Sequence, residues 1–160
     1  MPVEQLIIAQ DAGNYAITNL GALLFARDLN DFPTVARKAL RVIRYDGPSP
    51  ISPSRSKTFF SGYAKLDQAL EYVEALLPGQ EVIQGARRVT LRMFPHMALR
   101  ELMANMLIHQ DFSITGTGPM ICIFDGRIEF TNPGSSLVDV ARLLNDPPHS
   151  RNEKMAAICR

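Results

Sequence analysis

The chain has 160 residues, of which 46% are hydrophobic and 21% are charged, and its formal net charge is +1. This composition is typical of a globular protein, and the near-neutral charge gives no overall attraction to nucleic acid or to a membrane surface. Cys122 and Cys159 form no CxxC or His/Cys ligand pattern, which argues against a zinc site. With no signal-peptide pattern and no apolar stretch of spanning length, the sequence favours a cytoplasmic location without membrane contact.

The first half of the chain predicts a helix, a strand and a second helix. Residues 18–29 (TNLGALLFARDL) are typical of a short apolar helix with its first or second residue as the N-cap. Residues 39–45 (ALRVIRY) alternate apolar and basic side chains, as a strand with one buried face does. The proline- and serine-rich residues 48–56 predict a loop or linker, and residues 66–77 predict a helix.

The second half predicts a helix followed by a hairpin. Pro95 suits the first turn of a helix, and the helix is predicted over residues 95–110. Residues 120–131 form two apolar strands joined by an Asp-Gly dipeptide, which is a strong hairpin signal. The remaining predicted elements are a strand region at residues 82–93, a helix at residues 137–144, and a helix at residues 152–160 with Ser150 as its N-cap.

The helix predicted at residues 95–110 has a polar stripe. Glu101, Asn105 and His109 are spaced four residues apart, so they lie on one side of a helix. The opposite side should pack on the hairpin and consists of Leu99, Leu102, Met103, Met106 and Leu107. The residues expected to flank the stripe are all apolar: Met97, Ala98, Ala104 and Ile108. A carboxylate among apolar neighbours is costly unless it is compensated, and such groups cluster at functional sites, although a solvated surface stripe is the alternative.

The stripe suggests a specific chemistry. Mg²⁺ prefers oxygen ligands and keeps several waters, so the amide oxygen of Asn105 together with nucleotide phosphates would suffice to hold it. The carboxylate of Glu101 could orient or deprotonate a water. Phosphoryl transfer needs mainly positioning and charge neutralisation, which fits a sparse site of this kind. The sequence contains no GxxxxGK[ST] motif, which excludes a P-loop site.

Several segments together resemble a known family. They are ALRELMAN at residues 98–105, HQDFS at residues 109–113, IFDGRIEFTNPG at residues 123–134 and SRN at residues 150–152, with TNLGALLFARD and ALRVIRYDG upstream. In combination they resemble the C-terminal domain of RecG-like ATP-dependent helicases and transcriptional regulators. In that family, the domain usually follows a Schlafen-type, AlbA-like DNA-binding domain.

The resemblance implies a fold and a ligand. The family is similar to the GHKL ATPases, which include gyrase B, MutL, sensor histidine kinases and heat-shock chaperones. It implies an α+β fold, a GHKL-like α/β sandwich with helices on one face of a mixed sheet, that binds ATP and Mg²⁺. In the family pattern the Glu, here Glu101, is the general base and the Asn, here Asn105, binds Mg²⁺. The other nucleotide-binding positions that the resemblance implies are His109, Asp111, Asn132 and Gly134.

The sequence departs from the family pattern in two places. Asn132 stands where the GHKL pattern has an Asp that accepts from the adenine amino group, and an amide presents a donor as well as an acceptor. The chain also ends at Arg160, before the glycine-rich lid whose backbone amides bind phosphates. We therefore expect this chain to be a piece of a longer protein, to bind nucleotide weakly and to show little or no turnover alone.

The resemblance also implies an organisation for the chain. Residues 1–56 are predicted to be an N-terminal α/β segment with the proline- and serine-rich loop. Residues 57–160 are predicted to be a GHKL-like nucleotide-binding region that ends before the lid.

Three functions stay open at this point. The first is an ATP-binding module whose nucleotide state is coupled to DNA binding by another domain. The second is a catalytically inactive module for homodimerisation or effector sensing. The third is direct DNA binding through one of two short basic clusters, which are Arg37, Lys38, Arg41 and Arg44, or Arg87, Arg88 and Arg92.

Overall fold

The chain folds as an α+β protein, which confirms the predicted fold class. The computed structural model describes residues 6–77, 79–84, 87–92, 94–136 and 150–159, with the backbone alone for residues 12, 79–84, 87–92 and 159. The strands are β1 (Ile7–Ala9), β2 (Tyr15–Ile17), β3 (Leu40–Tyr45), β4 (Pro53–Phe59), β5 (Gly79–Gln84), β6 (Arg87–Arg92), β7 (Met120–Ile123) and β8 (Ile128–Thr131). The helices are α1 (Asn19–Phe25), α2 (Leu66–Leu76), α3 (His96–Ile108) and α4 (Glu153–Cys159).

The central sheet is mixed and has the strand order β4-β3-β7-β8. β3 runs parallel to β7, and both outer pairs are antiparallel. Val42 of β3 lies beside Ile121 of β7, and both side chains are fully buried in the core that the helices cover. A parallel pair needs a long crossover between its strands, and here the crossover contains α2 and α3. Helix α3 therefore packs on the face of the sheet that forms the core.

The edge strand β4 corrects one prediction. The predicted loop at residues 48–56 is wrong for its last part, because β4 begins at Pro53 and pairs with β3. Proline is tolerated at the first position of an edge strand, where its missing N–H breaks no ladder hydrogen bond. The predicted division between residues 56 and 57 falls inside β4, and strands from both sides of it form one sheet.

Helix α1 begins as the sequence predicts. The Thr18 hydroxyl oxygen accepts a hydrogen bond from the Gly21 amide at 3.0 Å and also donates to the Leu6 carbonyl. Capping of this kind satisfies one of the amides that a helix leaves unpaired at its start. The helix ends at Phe25, before the predicted end at residue 29, because Asp28 caps a separate short 3₁₀ turn.

Helix α3 buries most of the side that was predicted to face the core. Leu99, Met103 and Leu107 are almost fully buried, and α3 packs against α2, α4 and β8. The prediction is wrong for Leu102, whose side chain is 47% exposed. At about 100° per residue, Leu102 lies at the edge of the apolar arc and next to the polar stripe. The buried arc extends past the other edge instead, to Ile108.

Of the other predicted elements, both antiparallel strand pairs form, and the last helix forms without its predicted cap. The strand region at residues 82–93 is the antiparallel pair β5–β6, and the Asp-Gly hairpin is the pair β7–β8. Helix α4 forms, but Ser150 is not its N-cap, because the helix begins at Glu153 and Asn152 occupies the cap position. The predicted helix at residues 137–144 lies outside the described residues.

Two further observations concern apolar segments. Cys122 is buried in β7 as a free thiol, and burial raises the pKa of this thiol above its usual value. Across the parts of the chain that the structure describes, no helix combines the length and the hydropathy that crossing a bilayer requires.

Gly62 allows two segments of the core to approach closely. It has an ordinary backbone conformation, but a Cβ at this position would overlap the Leu24 carbonyl oxygen and lie 2.6 Å from the carbonyl carbon. We expect Gly62→Ala to lower the free energy of unfolding by about 1–3 kcal/mol, the usual cost of forcing extra volume into packed structure.

Gly126→Ala is the matched control. A Cβ at Gly126 would meet no atom within 4 Å, so this variant should stay within about 0.5 kcal/mol of the parent. Urea unfolding of the three proteins checks the expectation. Equal stability of the two variants would show that the contact at Gly62 is not tight.

Candidate functional site

The polar stripe of α3 continues into a chain of hydrogen bonds. Asn105 Nδ2 donates to Glu101 Oε1 at 3.1 Å, which confirms that the two side chains share a helix face. The His109 amide donates to the Asn105 carbonyl at 3.0 Å at the end of the helix. Asn132 Nδ2 donates to the His109 carbonyl at 3.1 Å. The structure thus places Asn132, which lies beyond β8, two helical turns along the stripe from Glu101.

The surroundings of Glu101 differ from the expectation. Glu101 is exposed, and so are Met97 and Ala98 beside it, so the predicted apolar enclosure of the carboxylate is wrong. Ala104 and Ile108 are buried because they turn toward the core rather than toward the stripe. The outer face of α3 is therefore a solvated surface on which polar and apolar side chains are mixed.

Asp111 is the most connected of the predicted site residues. Its Oδ1 accepts hydrogen bonds from the Ser113 amide at 3.0 Å and from the Ser113 hydroxyl at 2.5 Å. Its Oδ2 pairs with Arg151 Nη1 at 2.5 Å, and its amide donates to the Pro133 carbonyl at 2.7 Å. The two hydrogen bonds from Ser113, and then the positive charges of Arg151 and Lys38, hold the pKa of Asp111 below its usual value.

Gly134 packs directly on Asp111. It adopts φ +124°, and a Cβ there would lie 3.0 Å from the Asp111 Cβ. This backbone conformation is strained for residues with a side chain. The absence of a side chain at Gly134 therefore allows residues 132–134 to pack closely against the loop that follows α3.

Lys38 is a site residue that sequence reasoning missed. The sequence places it in a basic cluster with three arginines, but only 4% of it is exposed, and its Nζ donates to the Ile114 carbonyl at 2.6 Å. Burial lowers the pKa of the Lys38 ammonium below its usual value, while the charge of Asp111 opposes that shift. A buried ammonium cannot contact a DNA backbone. The side chains of the second basic cluster, Arg87, Arg88 and Arg92, lie outside the described side chains.

Arg151 and Asn152 join α4 to the end of α3. Arg151 Nη2 donates to the Ser135 carbonyl at 2.8 Å, in addition to its pair with Asp111. Asn152 Nδ2 donates to the carbonyls of Ile108 and Gln110 at 2.6 and 2.7 Å. These carbonyls belong to the helix end, where backbone acceptors lack helical partners. The SRN motif thus has a structural role that its sequence alone did not reveal.

Asn132 also lines a cavity of about 480 Å³ at the other side of the loop. Arg37, Arg41 and Thr131 contribute polar atoms to the same cavity, which lies against β3 and β8. Its lining includes neither Glu101 nor Asn105. Hydrogen bonds along α3 therefore link Glu101, Asn105 and Asn132. These three predicted site residues do not line one common cavity.

The stripe offers Mg²⁺ one amide oxygen, so nucleotide phosphates and waters would have to supply the rest of its coordination. Within the described ranges, no group of three or more His, Cys, Asp or Glu side chains is arranged to hold a metal ion. The bond to Glu101 uses the amide nitrogen of Asn105, so its Oδ1 is the oxygen that Mg²⁺ would take. Mg²⁺ bound through one side-chain oxygen needs phosphate oxygens and waters to complete its coordination.

Comparison with known proteins gives a sequence match and a structural match. Residues 116–160 match the sequence profile of a family described as "Putative ATP-dependent DNA helicase recG C-terminal". No curated protein matches the chain significantly. The crystal structure of the DIP2311 protein from Corynebacterium diphtheriae superposes on 92% of this chain with a TM-score of 0.69 and 18% sequence identity. This likeness shows a common fold, and the chain spans only 29% of the length of that protein.

The carboxylate of Asp111 should make stability depend on pH in the acid range. Because the pKa of Asp111 is lowered in the folded protein, its stabilising effect is present above about pH 4 and is lost as the pH falls through the folded value. Asp111→Asn should lower the urea midpoint at neutral pH and reduce the decline of that midpoint on acidification.

Asp125→Asn serves as the control for the loss of an ion pair. Asp125 pairs with Arg44 at 2.6 Å, but its side chain is 60% exposed, and exposed pairs contribute little. Urea midpoints measured from neutral to acid pH compare the variants. If Asp111→Asn declines as steeply as the parent, another group is responsible for the acid sensitivity.

Proposed function

We propose that this chain is an ATP-binding module of the GHKL type, in which Mg²⁺–ATP binds along the outer face of α3. The observation that carries the proposal is the hydrogen bond that places Glu101 and Asn105 one turn apart on an exposed helix face. The match of residues 116–160 to a RecG C-terminal family supports a nucleotide as the ligand. The loop at residues 132–134 is tied to the end of α3 by the hydrogen bond from Asn132 Nδ2 to the His109 carbonyl.

Each side chain has a distinct role in this proposal. Asn105 Oδ1 binds Mg²⁺, which neutralises phosphate charge. Glu101 is exposed, so its carboxylate can reach a water and accept its proton. Asn132 keeps its amide oxygen for the adenine amino group, since its nitrogen donates to the His109 carbonyl. Asp111 and Gly134 act by positioning the loop that carries Asn132.

The proposal extends to a longer protein in a bacterial cytoplasm. There, the nucleotide state of this module would alter DNA binding by a separate domain, and two copies of the chain would associate. A transcriptional regulator is the role that fits this arrangement. Two of the four basic side chains of β3 and the turn before it are engaged within the protein, since Lys38 is buried and Arg44 pairs with Asp125, which supports assigning DNA binding to another domain.

A second candidate is a protein-interaction module without catalytic activity. Met97 is 71% exposed and Leu102 is 47% exposed, and at about 100° per residue they lie on either side of the stripe that carries Glu101. Exposed large apolar residues on a helix surface are typical of protein contact surfaces. If this candidate is right, Met97→Ser with Leu102→Ser should abolish self-association, whereas Mg²⁺–ATP should have no effect on the parent protein.

Asn105→Ala should weaken Mg²⁺–ATP binding. Loss of the one protein oxygen on the metal should reduce affinity about tenfold or more, equivalent to about 1.4 kcal/mol or more. Thermal shift with Mg²⁺–ATP, and with ATP plus a chelator, measures the effect. Asn30→Ala, which changes an exposed Asn in the 3₁₀ turn after α1, should bind like the parent. Equal Mg²⁺-dependent shifts for Asn105→Ala and the parent would refute the ligand assignment.

Glu101→Gln should separate binding from hydrolysis. Glutamine keeps an acceptor for Asn105 but cannot take a proton, so binding should persist while turnover falls by 10²-fold or more, roughly the contribution of a general base. Glu71→Gln changes another exposed helical Glu and should have no effect. Turnover is to be measured in a longer chain that includes the lid, because residues 1–160 alone should hydrolyse ATP negligibly. Unchanged turnover in Glu101→Gln would remove Glu101 from the mechanism.

A further inference from the structure

A second cavity lies between α1 and α4, away from the outer face of α3. Its volume is about 490 Å³, within the range of pockets that bind small organic molecules. The apolar part of its lining consists of Leu20, Leu23, Val35, Phe112 and Met155. Leu23, Val35 and Met155 belong to the buried core, so this lining is held in place by packing. The cavity thus has a preformed apolar wall.

The polar part of the lining contains donors without partners. Ser150 and Arg151 both line the cavity, and the Ser150 hydroxyl and Arg151 Nε are buried without a hydrogen-bond partner among the described residues. Leaving a buried polar group unpaired is costly, so native proteins almost always satisfy such groups. The other guanidinium nitrogens of Arg151 are fixed by Asp111 and Ser135, which holds the side chain in place. A ligand whose acceptor oxygens reach past the cavity lining to these two covered groups would satisfy both.

The charge around the cavity favours an anion. Its cationic lining residues are Lys38, Arg151 and Lys154, whereas Glu153 is the only carboxylate among the described lining residues. Even when Asp111, the partner of Arg151, is counted, three positive charges face two negative ones. The ammonium of Lys38 is buried, and an anion nearby would compensate the cost of burying it.

We propose that this cavity is a binding site for a small organic anion, in which a carboxylate or phosphate group meets Lys38, Ser150 and Arg151 and a flat apolar body lies on Phe112 and Met155. The two head groups share the chemistry that the site recognises, namely acceptor oxygens with a negative charge. The site is separate from the proposed nucleotide site and does not depend on it, because neither Glu101 nor Asn105 lines the cavity.

Titration with matched probes tests the proposal. 2-Naphthoate and 2-naphthyl phosphate carry the two head groups, 2-naphthamide is the neutral equivalent of the carboxylate, and inorganic phosphate lacks the apolar body. Binding is followed by amide chemical shifts of the isotope-labelled chain. We expect at least one aryl anion to bind tenfold or more tightly than 2-naphthamide and inorganic phosphate, with shifts at Leu20, Phe112 and Ser150 rather than at Glu101. Which of the two aryl anions binds more tightly identifies the head group.

Ser150→Ala separates a ligand contact from a structural role. Because the Ser150 hydroxyl has no partner, its removal should leave the melting temperature unchanged or higher. The affinity for the aryl anion should nevertheless fall about tenfold, as expected for loss of a hydrogen bond to a charged group. Ser52→Ala changes an exposed serine in a distant loop and should alter neither value.

Lys38→Met removes the ammonium and keeps the length of the side chain. It should weaken the aryl anion and leave 2-naphthamide unaffected, provided that the amide spectrum shows a folded protein. The proposal is overturned if the neutral probe binds as tightly as the anions, if inorganic phosphate binds equally well, or if millimolar probe shifts no cavity residue. It is also overturned if Ser150→Ala binds like the parent. None of these results bears on Mg²⁺–ATP binding at Asn105.

Discussion

The rest of the site depends on the interactions that the carboxylate of Asp111 makes. It pairs with Arg151 at 2.5 Å and accepts two hydrogen bonds from Ser113, while its backbone amide binds the Pro133 carbonyl. Three segments that are far apart in sequence therefore meet at one group. Charge-assisted hydrogen bonds of this kind are stronger than neutral ones, and their geometry is more specific. They fix the loop after α3, the turn after β8 and the start of α4 relative to one another.

The contacts of Asp111 connect two different surfaces of the protein. On one side, the turn after β8 carries Asn132, whose amide meets the end of α3 and continues the stripe of Glu101 and Asn105. On the other side, Arg151 and the buried Lys38 line the cavity between α1 and α4. A change in the charge near Arg151 would act on Asp111 and so on the loop beside α3. The two proposed sites are thus physically adjacent although they share none of their principal ligand-binding residues.

The exposure of Glu101 determines where its carboxylate obtains its chemical environment. The sequence predicts that the Glu101 carboxylate lies among apolar side chains. Burial would then be the reason to assign this carboxylate a functional role. In the structure Glu101 is exposed, with Met97 and Leu102 also exposed on either side of its stripe. A base or a metal-adjacent carboxylate on such a surface obtains its environment from the ligand that covers it, because water otherwise solvates it fully. The same exposed apolar side chains explain why protein association is the competing proposal.

The sequence by itself determined the local features of this protein: the start of α1 at Thr18 or Asn19, the β7–β8 hairpin, and the positions of Glu101 and Asn105 one turn apart. These features follow from interactions between residues close in sequence, such as helical periodicity, capping and turn chemistry. Only the tertiary structure decided that β4 begins at Pro53, that Lys38 is buried and that Arg151 pairs with Asp111. Each depends on contacts between residues distant in sequence, because burial and long-range pairing are set by how the elements pack, and local patterns do not encode that packing.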